Sequence, residues 1–141
     1  MKTPWHLWVI GIVTLLWNAM GALDYTMTQL QNETYLAGFT AEERAYFQSF
    51  PVWVEAVWAI AVWFALAGSA LLLMRKRIAA GMFGISLIAM IVTAIHNFGL
   101  AEVKMHEIVG AEAVWFTLAI FLVALGSWIY ARRMRQRAVL D

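Results

Sequence analysis

The chain has 141 residues, of which 63% are hydrophobic and 13% are charged, and its formal net charge is +1. Soluble domains carry about 25% charged residues, so this composition excludes an ordinary water-soluble domain and indicates a membrane protein. The near-neutral charge and the short basic segments argue against a nucleic-acid partner. Because the chain contains no cysteine, it forms neither disulfides nor thiolate metal sites.

Four long apolar segments dominate the chain. Each holds roughly 20 residues, which at about 1.5 Å per residue is enough to cross a hydrocarbon layer of about 30 Å. The predicted spans cover about residues 5–28, 51–74, 78–100 and 110–131. We therefore predict an all-α fold, an integral membrane four-helix bundle that forms one domain over residues 1–141, with the lipid bilayer as its immediate partner.

The connections between the spans carry further signals. After the first span, Thr40 and Glu43 have the spacing of a capping box. This spacing predicts a short amphipathic helix over residues 41–50 in the first outer loop, with its aromatic side chains resting on the membrane surface. Between the second and third spans, the segment "RKR" (75–77) leaves room only for a tight turn, so these two spans form an antiparallel hairpin.

The distribution of basic residues predicts the orientation of the chain. Every Lys and Arg except Arg44 and Lys104 lies at one end of a four-span arrangement, in the segments 2–4, 75–77 and 132–137. Most carboxylates lie at the opposite end. Cytoplasmic loops carry an excess of Lys and Arg, so both termini are predicted to be cytoplasmic.

Polar side chains inside the spans indicate a binding site. Such groups are costly in hydrocarbon and usually face the interior of a bundle. On the first span, Asn18, Gly21 and Tyr25 share one face. Polar groups occur near the same end of all four spans, so antiparallel packing brings them to a common polar pocket that opens outward. The candidate ligand-binding residues are Asn18, Asp24, Tyr25, Glu55, Trp58, Thr93, His96, Asn97 and Glu112.

His96 is a candidate pH-sensitive group in this pocket. Carboxylates at its own level would favour the charged imidazole, whereas burial would oppose it. A metal site could combine His96 with Glu55 and Asp24, and with His106 or Glu107, since nitrogen and oxygen ligands suit zinc or iron. No HxxxH or ExxH spacing supports such a site, so the sequence identifies neither a metal nor a cofactor.

Each polar residue also has a simpler explanation. His96 and Asn97 could cap the third span beside Gly99, and Glu55 and Glu112 could reach the headgroup region separately. Two functions therefore stay open. The chain binds or passes a small solute through the outward-facing pocket, or it is an accessory or assembly subunit of a larger membrane complex. No P-loop, glycine-rich dinucleotide turn or GxSxG motif indicates an enzyme.

Small residues in the spans predict close helix packing, either within one chain or between the subunits of a homo-oligomer. They include Gly11, Gly68, Gly81, Gly84 and Gly126.

Two stretches, "LLWNAMGALDYTMTQ" (15–29) and "AYFQSFPVWVEAVWAIAVW" (45–63), resemble a group of small proteobacterial four-helix inner-membrane proteins. Some members of this group carry a sugar-transporter label. The general layout is also similar to DoxX-like four-helix proteins. The resemblance implies a multi-pass protein of the bacterial cytoplasmic (inner) membrane and adds weight to transport, but it transfers no binding or catalytic residues.

Overall fold

A computed structural model describes residues 2–141, and these residues form helices and no strands. The helices are α1 (Trp5–Gln29), α2 (Glu33–Leu36), α3 (Ala41–Gln48), α4 (Val52–Leu73), α5 (Ile78–Ile95), α6 (Met105–Val109) and α7 (Ala111–Gln136). A π-helical turn, His96–Leu100, continues α5.

Four of these helices are long and apolar enough to cross a membrane: α1, α4, α5 with its π-helical turn, and α7. The chain is therefore a multi-pass membrane protein with an all-α four-helix bundle fold, as the sequence predicted. The largest difference in helix bounds is at α7, which continues past the predicted limit at residue 131 to Gln136. The arginines there end the apolar segment, but they are good helix formers and do not end the helix.

The predicted amphipathic helix is also present, as α3. Its capping box is complete, since the Thr40 hydroxyl accepts from the Glu43 amide at 3.1 Å and the Glu43 carboxylate accepts from the Thr40 amide at 2.9 Å. Its aromatic side chains were expected to rest on the membrane surface, but they do not. Tyr46 and the following Phe50 are buried against Val54 of α4 instead. The short helices α2 and α6 were not predicted.

The long helices pack in the order α1, α4, α5, α7. The α4–α5 hairpin lies at the centre, α1 packs against α4, and α7 packs against α5. Between α1 and α7 the contacts are made by long side chains: His6 shares a hydrogen bond with Tyr130, and the rings of Trp17 and Phe116 lie 6.3 Å apart. We call the end with residues 2–4, 74–77 and 137–141 the basic end, and the end with residues 30–51 and 101–110 the loop end.

The half of the bundle next to the basic end, which we call the basic half, is densely packed. Its apolar core includes Leu7, Leu72, Phe83, Met134 and Leu140, all of them buried. The backbone of Asp141 pairs with the 75–77 turn: its amide donates to the Arg75 carbonyl oxygen at 2.6 Å, and its carbonyl oxygen accepts from the Arg77 amide at 2.8 Å. Because the basic half is filled, open space can occur in the other half, next to the loop end, which we call the loop half.

Glycines permit close helix contacts in the basic half. A Cβ atom at Gly68 would lie 3.0 Å from the Phe83 ring, and one at Gly11 would clash with the Leu73 side chain. A Cβ at Gly84 would lie 3.1 Å from the indole nitrogen of Trp128. The predicted close contacts are therefore made at these three positions. No atom lies within 4 Å of a Cβ built at Gly81 or Gly126.

Gly68→Leu is expected to lower the free energy of unfolding by about 1–3 kcal/mol, because the added side chain overpacks a filled core. The control is Gly81→Leu on α5, where the added side chain meets open space. It should leave the free energy of unfolding within about 0.5 kcal/mol of the wild-type value. Detergent unfolding followed by circular dichroism measures both. Equal losses in the two variants would contradict the tight α4–α5 contact.

Candidate functional site

A cavity of about 470 Å³ lies inside the loop half of the bundle, enclosed by all four long helices and closed at the loop end by the 30–50 segment. Its wall is mainly apolar, and aromatic rings form a large part of it: Trp17, Phe39, Phe47, Phe50, Trp58, Phe98, Phe116 and Phe121. The polar side chains in the wall are Asn18, Asp24, Tyr35, Thr93, Asn97 and Thr117. The cavity is thus more apolar than the polar pocket that the sequence predicted.

The 30–50 segment forms an aromatic cap over the cavity. Tyr35, Phe39, Phe47 and Phe50 all contribute to the wall, and the Phe47 ring stacks on Trp58 of α4 with a centroid distance of 6.2 Å. Such aromatic pairs add to the free energy gained from burying the rings. The cap is therefore held to α4 by aromatic contacts.

Arg44 holds the cap together internally. Its guanidinium donates to the carbonyl oxygen of Leu36 at 2.9 Å, and it lies 3.8 Å from the carboxylate of Glu33. These contacts join α3 to α2, so the two short helices of the cap form one unit.

Asn18 supplies a hydrogen-bond acceptor deep in the cavity. Its Nδ2 donates to the carbonyl oxygen of Ala65 at 3.2 Å and to the hydroxyl of Ser69 at 2.8 Å. The Ser69 hydroxyl donates its own proton to Ala65, so its oxygen is free to accept from Asn18. Both amide protons of Asn18 are used in this way, and its Oδ1 is left as an acceptor at the cavity wall.

Asp24 supplies a second acceptor, about 9 Å further along α1 toward the loop end. Its Oδ1 accepts a hydrogen bond from the phenol of Tyr35 in the cap. Burial, the hydrogen bond to Asp24 and the charge of Asp24 together raise the pKa of Tyr35 to about 12. The phenol therefore stays protonated at neutral pH and remains the donor that links the cap to α1.

The π-helical turn begins at His96 and includes Asn97. The Ala101 amide donates to the His96 carbonyl oxygen at 2.8 Å, which widens the helix by one residue per turn. Asn97 contributes to the cavity wall, whereas His96 contacts the rings of Phe50 and Trp53 edge-on, at 5.5 and 5.6 Å. The imidazole Nδ1 lies 3.1 Å from the Asn97 amide oxygen.

The expected pairing of His96 with a carboxylate is not formed. Within residues 2–141 the one ion pair joins Arg44 to Glu33, and His96 is buried among aromatic rings and the Asn97 amide. The same stretch of chain also contains no group of three His, Asp or Glu side chains close enough to hold a metal ion. His106, one of the residues considered as a ligand, stacks on Phe98 with a centroid distance of 6.0 Å.

The structure brings five of the nine candidate residues to the cavity wall, namely Asn18, Asp24, Trp58, Thr93 and Asn97. The other four lie outside it. Tyr25 packs edge-on against Trp58 at 4.9 Å, His96 is turned away, Glu55 is half-buried on α4, and Glu112 is exposed on α7. The aromatic cap residues Tyr35, Phe39, Phe47 and Phe50 were not among the candidates.

The cavity has a lateral opening between α1 and α7. Met20 and Phe116 belong to its wall, yet they are 68% and 60% exposed on the outside of the bundle. Because α1 and α7 are not in close backbone contact, these side chains border a gap that faces the hydrocarbon of the bilayer.

The chain shows no significant similarity to any protein-family model, curated protein or solved structure. The resemblance of residues 15–29 and 45–63 to small proteobacterial inner-membrane proteins stays a prediction.

Asn18→Ala and Ser69→Ala are expected to be coupled, because their side chains form one hydrogen bond between α1 and α4. In a double-mutant cycle the coupling should be about 0.6 kcal/mol, the average for such bonds in membrane bundles. The control pairs Asn18→Ala with Ser127→Ala, since the Ser127 hydroxyl donates to Val123 of its own helix. That control should be additive within about 0.3 kcal/mol. Equal coupling in both cycles would contradict the assigned bond.

Proposed function

We propose that the protein binds a compact, largely apolar small molecule in the cavity of the loop half. The observation that carries this proposal is a cavity of about 470 Å³ with an aromatic wall and two acceptors, Asn18 and Asp24. Ligand sites in proteins have volumes of about 300–1,000 Å³ and combine an apolar wall with a few polar groups that orient the ligand. The cavity has both properties.

The geometry favours binding of a ligand that enters from the bilayer over passage of a solute across the membrane. The gap between α1 and α7 admits a membrane-dissolved molecule from the side. Among residues 2–141, the core of the basic half is filled by buried side chains such as Leu7, Leu72 and Phe83. A solute that crossed the membrane would have to separate these contacts.

We also propose that the chain lies in a bacterial cytoplasmic membrane with both termini inside. The distribution of Lys and Arg along the sequence supports this orientation. The cavity then lies in the outer half of the bilayer, with its cap on the external face.

The orientation can be tested by cysteine labelling, because the natural chain has no cysteine to interfere. Gln48→Cys lies at the exposed end of α3 and Gln136→Cys at the exposed end of α7. In spheroplasts a membrane-impermeant maleimide should label residue 48, and should label residue 136 only after the membrane is permeabilised. The opposite pattern would overturn the proposed orientation.

Filling the cavity should abolish binding. Ala94→Phe places a ring in the cavity wall, and Ile95→Phe places the same ring on the exposed face of the same helix. With 4-hexylphenol as the probe, Ala94→Phe is expected to raise the dissociation constant by at least about tenfold, or ~1.4 kcal/mol. The Ile95→Phe control should bind as the wild type does.

Calorimetry with the protein in lipid nanodiscs, corrected for the partition of the probe into empty nanodiscs, measures these constants. Identical binding by the wild type and both variants would place the probe outside the cavity and contradict the proposal. The experiment also distinguishes binding from the other function that the sequence leaves open. A subunit that serves only to dock onto a larger complex needs no vacant cavity, so Ala94→Phe would leave its docking unchanged.

A further inference from the structure

We propose that the preferred ligand of the cavity is a lipophilic monocation, whose positive charge is held by Asp24 beneath the aromatic cap. This inference rests on the proposed function and names its ligand class. It follows from the charges and rings that face the cavity.

Asp24 is the one charged side chain in the cavity wall among residues 2–141. Its side-chain partner is a neutral phenol, which donates to Oδ1, and none of the described residues 2–141 donates to Oδ2. A carboxylate in a low-dielectric site is stabilised by a positive charge much more than by a neutral donor. The cavity therefore favours a cation over a neutral molecule or an anion of the same shape.

The basic residues of the loop end are engaged elsewhere. Arg44 donates to the Leu36 carbonyl oxygen and pairs with Glu33. The ammonium group of Lys104 donates to the carbonyl oxygens of Gly99 and Ala101. Neither of these cations belongs to the cavity wall, so the charge of Asp24 is not neutralised by the protein.

The aromatic rings that share the cavity wall with Asp24 are suited to the same class of ligand. Tyr35, Phe39, Phe47 and Phe50 belong to the cap, and Trp58 stands below it on α4. The faces of aromatic rings attract cations, and quaternary ammonium groups are recognised in proteins by cages of such rings. The apolar remainder of the wall would then hold the hydrocarbon part of the ligand.

The test uses two molecules of the same shape that differ in charge, phenyltrimethylammonium and its neutral carbon isostere tert-butylbenzene. Binding is measured by calorimetry in nanodiscs of zwitterionic phosphatidylcholine, so that lipid charge does not attract the cation, with empty nanodiscs as the reference. The wild type is expected to bind the cation at least about tenfold more tightly than the isostere.

Three variants assign this preference to one carboxylate. Asp24→Asn should abolish the preference, because it is expected to raise the dissociation constant of the cation at least about tenfold more than that of tert-butylbenzene. Asp24→Glu keeps the charge and should keep the preference. Glu55→Gln removes a half-buried carboxylate outside the cavity wall and should also keep it.

The outcomes separate this inference from the proposed function. Equal binding of the two molecules by the wild type overturns the cation preference, as does a preference that survives in Asp24→Asn. Binding of 4-hexylphenol without any binding of phenyltrimethylammonium also overturns the inference and leaves the proposed function standing. If the wild type binds none of the three probes, both proposals fail.

Discussion

The separation of α1 from α7 is the constraint on which the rest of the structure depends. The central α4–α5 hairpin has a neighbour on each side, whereas the two outer helices are less closely packed against each other, and long side chains such as His6, Tyr130, Trp17 and Phe116 make contacts between them. At the basic end this space is filled by the buried apolar core. At the loop end it is not filled, and the cavity and its lateral opening are the result.

Polar groups in the spans are accommodated without opening the bundle to water. Several hydroxyls, including those of Thr14, Thr93 and Ser127, donate to carbonyl oxygens of their own helix. Ser86 instead donates across to Ala61 of α4, at 2.6 Å. Among the described residues no buried side-chain nitrogen or oxygen lacks a partner. In hydrocarbon such satisfaction is required, because an unpaired polar group is expensive there. The acceptor atoms of Asn18 and Asp24 that have no protein donor lie where these two residues face the cavity.

Much of the fold was predictable because length and hydropathy alone define a membrane span, and the bounds of α1, α4 and α5 follow the apolar segments closely. The site was predictable only in part. Asn18 and Asp24 reach the cavity as expected for polar groups in a bundle. His96 does not, because its ring packs instead against Phe50 and Trp53, outside the cavity wall. The aromatic residues of α3 were expected at the membrane surface, since an amphipathic helix has the same pattern whether its apolar face meets lipid or another helix.

The π-helical turn at His96–Leu100 also has a consequence for the length of the chain. A turn of this kind holds one residue more than an α-helix needs, so it is equivalent to a single insertion. Deleting one residue there would regenerate a regular helix and rotate every later side chain by about 100°. If Asn97 were the residue deleted, Phe98 would move into the position that Asn97 now occupies in the wall, so that a ring would replace an amide there, although the hydropathy of the segment would hardly change. Two such proteins could thus have the same hydropathy profile and yet differ in the side chains that line the cavity and contact a ligand.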